Sequence, residues 1–382
     1  MDRSDPSARL AVLDARALSG PTGRRGVGRY VRDLLCGLAA VPDRRVRVGA
    51  LLDARAGGAD ELPAGIERLA WRQPPGPALA WSRLLGPRAL RRAGAALYHA
   101  TFLAPLAVPD GIAFTATIHD VIPLEHPRRF TWRQRAVFRA SLAACARAAR
   151  VVAVSEVTAR RVAARFGVAA DRLRVVPPPV ELAGIDDDAL AAARRTALPA
   201  GVEEPFVLHL GGFDPLKGVC DLLLPAFAEL VRAGSAMNLV LTGPPGPGRD
   251  AARRAADELG VAARVAFPGV VPDARRVALI ARAAAVVVAS HEEGFGIPAI
   301  EALACGVPVA VGPAEATREA VGEHGQLALA PTPRALAVAI ARALDAGGPE
   351  GPEAAARRRH ARRFAPDRIA RELLAVWDEV LA

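Results

Sequence analysis

Short apolar runs recur along this chain, each followed by an alanine-rich stretch long enough for a helix, and this alternation narrows the fold more than any other feature. In the first half RLAVLDA, VRVGALLDA, ALYHA, IAFTATIHD and RVVAVS read as strands; in the second half PFVLHLGG, NLVLTG, RVAFPG, AAVVVAS and VPVAVG do the same. Runs this short and this apolar suit parallel strands buried on both faces, with helices crossing over between them. At 382 residues the chain exceeds one ordinary core and suits two domains of similar size. Hydrophobic residues make up 52% of it but aromatic ones only 4%, so its cores are built from Ala, Val and Leu, which let helices sit close to strands. The segment PPPVELAGIDDDALAAARRTALPAGVEEP, rich in turn formers and charge, places the connection between domains near residues 177–204. The expected architecture is α/β: two facing Rossmann-like domains, 1–190 and 200–382, with parallel sheets. The stretch from Ala354 to Ala382 reads as one or two helices broken near Pro366, the last expected to pack back on the amino-terminal domain.

Charge is unevenly spread. Residues 1–200 hold 31 Arg against 18 acids, a net of +13, while residues 201–382 hold 19 basic and 22 acidic residues, a net of −3. The first half is therefore expected to face something anionic, but no finger or RNA-recognition signature supports nucleic acid. No run approaches the ~20 apolar residues of a membrane span. The segment MDRSDPSARLAVLDARAL lacks the order of a signal peptide. Cys36, Cys145, Cys220 and Cys305 are scattered and read as reduced, partly buried thiols of a cytoplasmic protein. His99, His126, His209, His291, His324 and His360 show no ligand spacing, so no metal site is expected. Asp186, Asp187 and Asp188 invite a DxD metal reading, yet they directly precede the helical run ALAAARRTAL, where acids favour the helix start.

Two glycine clusters carry little by themselves. In GPTGRRGVGRYV, Val31 stands where a third dinucleotide-binding glycine belongs, and GPPGPG at Gly243–Gly248 lacks the GK[ST] of a P-loop. The stretch SHEEGFGIPAIEALACGVPVAVG, residues 290–312, carries more. A buried strand ends at Ser290, a glycine loop follows, and Pro298 sits where a helix can begin, to be ended by Gly306. A helix start offers free N–H groups and partial positive charge to phosphate oxygens. Gly294 and Gly296 let a diphosphate approach the backbone. Glu293 and Glu301, with seven residues between them, suit the hydroxyls of two sugar rings flanking that diphosphate. For Glu301 alone, complementing the helix dipole is an equal reading.

This stretch resembles the donor-site signature of glycosyltransferase family 4, retaining enzymes with the GT-B fold and mannosyltransferase-like relatives. The resemblance runs in order through GVGRY, HATFLAPL, TIHDVIPLEHP, VVAVSEVTARRV, LGGFDPLKG, VAFPGVV and EEGFGIPAIE. It implies a carboxyl-terminal domain that binds a nucleotide sugar and an amino-terminal domain on the acceptor side. Glu293 is then expected at the donor-sugar hydroxyls and Glu301 at the ribose. The backbone of Gly294, Phe295 and Gly296 would lie by the sugar and diphosphate, with Gly212 and Val270 also lining the donor. Lys217, the only lysine in the chain, lies in the family's lysine motif, where a compact ammonium can stabilise a leaving diphosphate; most lysines are otherwise surface residues. An arginine that family members carry before this lysine is missing, with Gly212 and Leu216 in its place.

His119, beside Asp120 at the end of TATIHD, matches the family's HD motif and is placed to touch a sugar hydroxyl or shuttle a proton. A structural histidine is the alternative. Gly26 and Gly28 either admit phosphate or acceptor near the backbone or form a turn. Residues 128–150 hold seven Arg and no acid. Thr131 and Gln134 fit a capping box there, and a helical wheel groups Arg135, Arg139 and Arg150 with Trp132, opposite Val137, Phe138, Ala144 and Cys145. This face suits anionic lipid headgroups as well as it suits solvent. The expectation is a retaining transferase moving a hexose, mannose or glucose, from a UDP- or GDP-sugar to an unidentified acceptor, lipid-linked or a glycan, without a cofactor. A catalytically silent nucleotide-sugar-binding subunit is the alternative.

Overall fold

A computed structural model describes residues 8–18, 26–54, 62–72, 78–102 and 105–382. The first residues of the chain, residues 20–25 of GPTGRRGVGRYV, and Leu103 and Ala104 of HATFLAPL lie outside the described residues. The described chain divides into two compact units, 1–179 with 364–382, and 180–363.

In the first unit the described strands are β1 (Arg9–Asp14), β2 (Val46–Asp53), β3 (Ile66–Trp71), β4 (Ala95–Ala100), β5 (Ala113–Ile118), β6 (Arg150–Ala153) and β7 (Leu173–Val175). They form one parallel sheet in the order β3-β2-β1-β4-β5-β6-β7. The second unit holds β8 (Phe206–His209), β9 (Asn238–Thr242), β10 (Val265–Gly269), β11 (Ala285–Val288), β12 (Val309–Val311) and β13 (Gly325–Leu327). Its sheet, again parallel, runs β10-β9-β8-β11-β12-β13. Central strands such as β11, Ala285–Val288, are buried along their whole length because helices cover both faces. Three strands escape the apolar-run reading: β3, β7 and β13. All are sheet edges. Each keeps partly exposed residues, as in the alternating burial of IERLAW, so no continuous apolar run marks it.

The helix Val27–Ala40 buries Tyr30, Val31, Leu34, Leu35 and Leu38, a stripe at helical spacing. Against it packs the last helix, Pro366–Leu381, which follows Pro352–Ala361 after a break before Pro366. This final helix buries Ile369, Leu373 and Trp377 at four-residue intervals. Gly37 is required at the crossing, because a β-carbon there would run into the Pro366 carbonyl. Fully buried Trp377 fills the same core, and a side chain of that size contributes about 3–5 kcal/mol relative to alanine.

Asp186 caps the helix Asp187–Arg195, its carboxylate accepting from the Ala189 amide at 2.7 Å, with Asp187 and Asp188 in the first turn. That helix packs on Asp273–Arg282 within the second unit. The helix Trp132–Cys145 opens on the capping box of Thr131 and Gln134. One wheel assignment is corrected: Arg150 is not on the helix; it begins β6 and pairs with Glu379 of the last helix at 2.6 Å. Of the opposite face, Val137 is exposed, and burial starts only at Ser141. Cys145 and Cys305 are buried, whereas Cys36 and Cys220 are exposed.

Candidate functional site

In an open parallel sheet, ligands bind outside the carboxyl ends of the strands where the strand order reverses. In the second unit that point lies between β8 and β11. The chain leaves β8 at His209 and passes Gly211 and Gly212 into the turn Pro215–Lys217. It leaves β11 for Ser290, the loop through Glu293 and Gly294, and the helix Ile297–Ala304. The His291 amide donates to the Leu216 carbonyl at 2.8 Å, tying the two loops together. Above this tie Lys217 Nζ donates to Glu293 Oε1 at 2.6 Å, and Ser290 Oγ donates to the same oxygen at 2.8 Å. Both members of the ion pair keep some solvent contact, with side chains 27% and 17% exposed. Neither charge is stranded, and each remains within reach of a ligand that would replace the other.

His209 lies beneath the pair, buried, with Nδ1 donating to the Val287 carbonyl at 3.0 Å. Burial lowers its pKa to about 4 against the pull of that carbonyl, and Lys217 adds to the lowering, so the ring is neutral at pH 7. The helix Ile297–Ala304 starts from Gly296, whose φ of +104° favours glycine and whose β-carbon would collide with the Thr317 side chain. Thr317 Oγ1 is buried there without a hydrogen-bond partner among the described residues. Pro298 stands in the first turn. Phe295 is buried and Gly294 half-buried. Glu301 is 2% exposed, and Arg276 Nη1 donates to its Oε1. Gly212 is buried, its amide donating to the Thr242 carbonyl at 3.1 Å. Val270, just beyond β10, is 54% exposed.

The first sheet reverses between β1 and β4, and its end carries a different set of groups. Arg16 holds Asp14 through two bonds, Nη2 to Oδ2 at 2.6 Å and Nε to Oδ1 at 2.8 Å, and Tyr98 donates to Asp14 at 2.7 Å. Burial opposes the Asp14 charge, yet Arg16 and Tyr98 together hold its carboxyl below the usual range. His119 follows β5, half-buried; its Nε2 faces the Thr101 carbonyl at 2.9 Å and so donates, which leaves Nδ1 as the basic nitrogen. Burial lowers its pKa to about 4, only partly offset by that carbonyl. His119 is therefore a neutral hydrogen-bonding group at pH 7. The Tyr30 ring meets it edge-on at 4.6 Å, and the Tyr30 hydroxyl bonds Thr117 Oγ1 at 3.0 Å. Thr117 also meets His99 Nε2 at 3.0 Å, while Trp377 of the last helix donates to His99 Nδ1 at 3.4 Å. Gly26 caps the helix Val27–Ala40 with φ +49°, and among the described residues no atom lies within 4 Å of where its β-carbon would be; Gly28 is buried inside that helix.

The structure thus joins Lys217 to Glu293 directly and puts Gly294, Phe295, Gly296 and Glu301 on the loop and helix that follow. His119, Gly26 and Gly28 belong to the first unit. Sequence reasoning missed Ser290, Arg276, Tyr30 and the Asp14–Arg16 pair, and read His209 only as a non-ligand. Arg276 had no signal beyond its place in a helix of otherwise ordinary pattern. Among the described residues no helix is long and apolar enough to cross a membrane, and no three His, Cys, Asp or Glu side chains are grouped to hold a metal ion.

Residues 24–183 match the profile of Glycosyltransferase Family 4 and residues 193–363 that of Glycosyl transferases group 1, so the two together take in most of the chain. The D-inositol 3-phosphate glycosyltransferase of Acidothermus cellulolyticus is 36% identical over 249 residues, which cover 62% of this chain and 54% of that protein. The chain thus spans about half the length of this relative. Among solved structures, sucrose-phosphate synthase from Thermosynechococcus elongatus superposes with a TM-score of 0.71 at 22% identity, over 97% of this chain and 98% of the other. Anabaena HepE, solved with UDP and glucose, gives 0.68 at 21% identity, over 97% and 99%. The chain belongs to glycosyltransferase family 4 and has the GT-B fold.

Proposed function

We propose that this protein is a retaining glycosyltransferase that moves a hexose, mannose or glucose, from a UDP- or GDP-sugar to an acceptor hydroxyl. The observation that carries the reading is the Lys217–Glu293 pair at the sheet reversal, beside the helix start at Gly296. A donor diphosphate would take the Lys217 ammonium and the amides at the helix start, and the hexose hydroxyls would take Glu293. Glu301 would receive the ribose. In the reaction the bond from the anomeric carbon to the diphosphate oxygen breaks, and the electron pair leaves with the diphosphate, whose growing charge Lys217 stabilises. The acceptor oxygen forms its bond on the same face of the ring and passes its proton to the departing oxygen. His119, neutral at pH 7, would hold a sugar hydroxyl through Nδ1. The relative named for inositol 3-phosphate and the net charge of +13 over residues 1–200 both favour an acceptor that carries negative charge.

A thermal-shift screen against UDP, GDP, ADP and their sugars, followed by donor hydrolysis, tests this reading. The expected result is stabilisation by a uridine or guanosine nucleotide and slow hydrolysis of its sugar. Binding without any turnover would instead mark the silent subunit, and no binding at all would remove the donor site.

We also propose that residues 128–150 rest on an anionic membrane surface. Trp132 is 67% exposed with Arg133 stacked 5.3 Å from its ring centre, and Arg128, Arg129, Arg135 and Arg139 are exposed around them. Flotation with anionic but not neutral liposomes is the expected outcome. Equal recovery with both contradicts it.

A further inference from the structure

We propose that Arg276 is a positioning residue for nucleotide recognition, holding Glu301 in the one orientation that receives the ribose hydroxyls; the assignment rests on the donor-site reading above. Glu301 sits on the helix Ile297–Ala304, and Arg276 reaches it from the neighbouring helix Asp273–Arg282. Glu301 is only 2% exposed, and a buried carboxylate is costly without a paired cation; Arg276, itself 13% exposed, is paired with it. On the solvent side its Nε makes a longer contact, 3.4 Å, to Asp273, whose side chain is 71% exposed. The planar fork of a guanidinium held by a buried carboxylate on one side and met by Asp273 on the other has a preferred direction that an ammonium lacks. Burial works against the charge on Arg276, but Glu301 outweighs it and holds the guanidinium above its usual range. Ribose recognition needs an acceptor whose direction is settled before the ligand arrives, since two neighbouring hydroxyls ask for a defined carboxylate plane. Arg276 supplies that order without touching the sugar.

The test compares two ligands on the full chain by isothermal titration: whichever of UDP and GDP binds, and its 2′,3′-dideoxy counterpart. The wild type is expected to prefer the hydroxylated form. Arg276→Leu should weaken that form about tenfold, the effect of one charge-assisted hydrogen bond, and leave the dideoxy form unchanged. Arg276→Lys keeps a buried cation, so the chain folds, but loses the fork and should give a smaller loss confined to the same ligand. A purely structural ion pair predicts equal losses for both ligands, and that result, or no loss in either variant, overturns the proposal. If the wild type binds neither nucleotide, the donor-site reading fails first and takes this assignment with it. If it binds the nucleotide but shows no preference for the hydroxylated form, the donor site stands and the role of Arg276 does not.

Discussion

The two sheet reversals of this molecule are built from similar topology and opposite electrostatics. At the second, charged side chains meet at a partly solvated rim: Lys217 with Glu293, both open to exchange. At the first, the charges of Asp14 and Arg16 are locked to each other, and the groups around them are neutral: His99, His119, Tyr30 and Thr117. A pair that water still reaches can exchange partners, whereas a carboxylate as buried as Asp14 is stable only while every member of its network is satisfied. The contrast is one of solvent access: the Lys217–Glu293 pair keeps contact with water, while Asp14 at the first reversal is buried among its partners.

The largest expected effect is on turnover. Lys217→Ala removes the only lysine and should lower kcat for donor hydrolysis about 10²–10³-fold, as loss of a group facing developing negative charge does, with the Tm nearly unchanged. A stability loss with normal kcat would assign the pair a structural role and erase the contrast. Next in size is Gly296→Ala. The side chain meets Thr317 and is forced to φ +104°, so urea denaturation should show about 2–3 kcal/mol lost together with nucleotide affinity. Unchanged denaturation would show that the helix start adapts.

The smallest effect is on acid stability, and it separates the two reversals. A histidine takes up a proton near 6.5 in the unfolded chain, but folded His99 does so only near 3, and His119 and His209 near 4, in each case chiefly because of burial. Between those values the unfolded chain binds more protons. Stability present above pH 6.5 is therefore lost as pH falls towards 4, about 1 kcal/mol per histidine by pH 5.5. His99 and His119 belong to the first unit, as do all four tryptophans, Trp71, Trp81, Trp132 and Trp377. The urea midpoint read by tryptophan fluorescence should fall between pH 7.5 and 5.5, and an unmoved midpoint would mean that the first network tolerates a charged imidazole.

Much of this was legible in the sequence, for reasons that particular elements make plain. Strands covered on both faces, such as Val286–Val288, declare themselves as apolar runs; β3, β7 and β13, each with one side open to solvent, do not. Thr131 with Gln134, and Pro366, mark helix starts by local chemistry alone, so they survive any tertiary context. Lys217 and Glu293 could each be named from a separate motif. That they touch depends on β8 and β11 being neighbours, which no spacing encodes. Arg276 was invisible for the same reason: its meaning lies in Glu301, on another helix. Arg150 was misplaced because a wheel carries helical spacing past the point where the helix stops, here Cys145.

The central claim is that a nucleoside diphosphate sits at the start of the helix Ile297–Ala304, and a crystal structure of the chain with bound UDP or GDP tests it most directly. The account predicts diphosphate oxygens on the amides that follow Gly296 and on Lys217 Nζ, with the ribose turned towards Glu301. A nucleotide bound elsewhere, with the Lys217–Glu293 pair undisturbed, would contradict it.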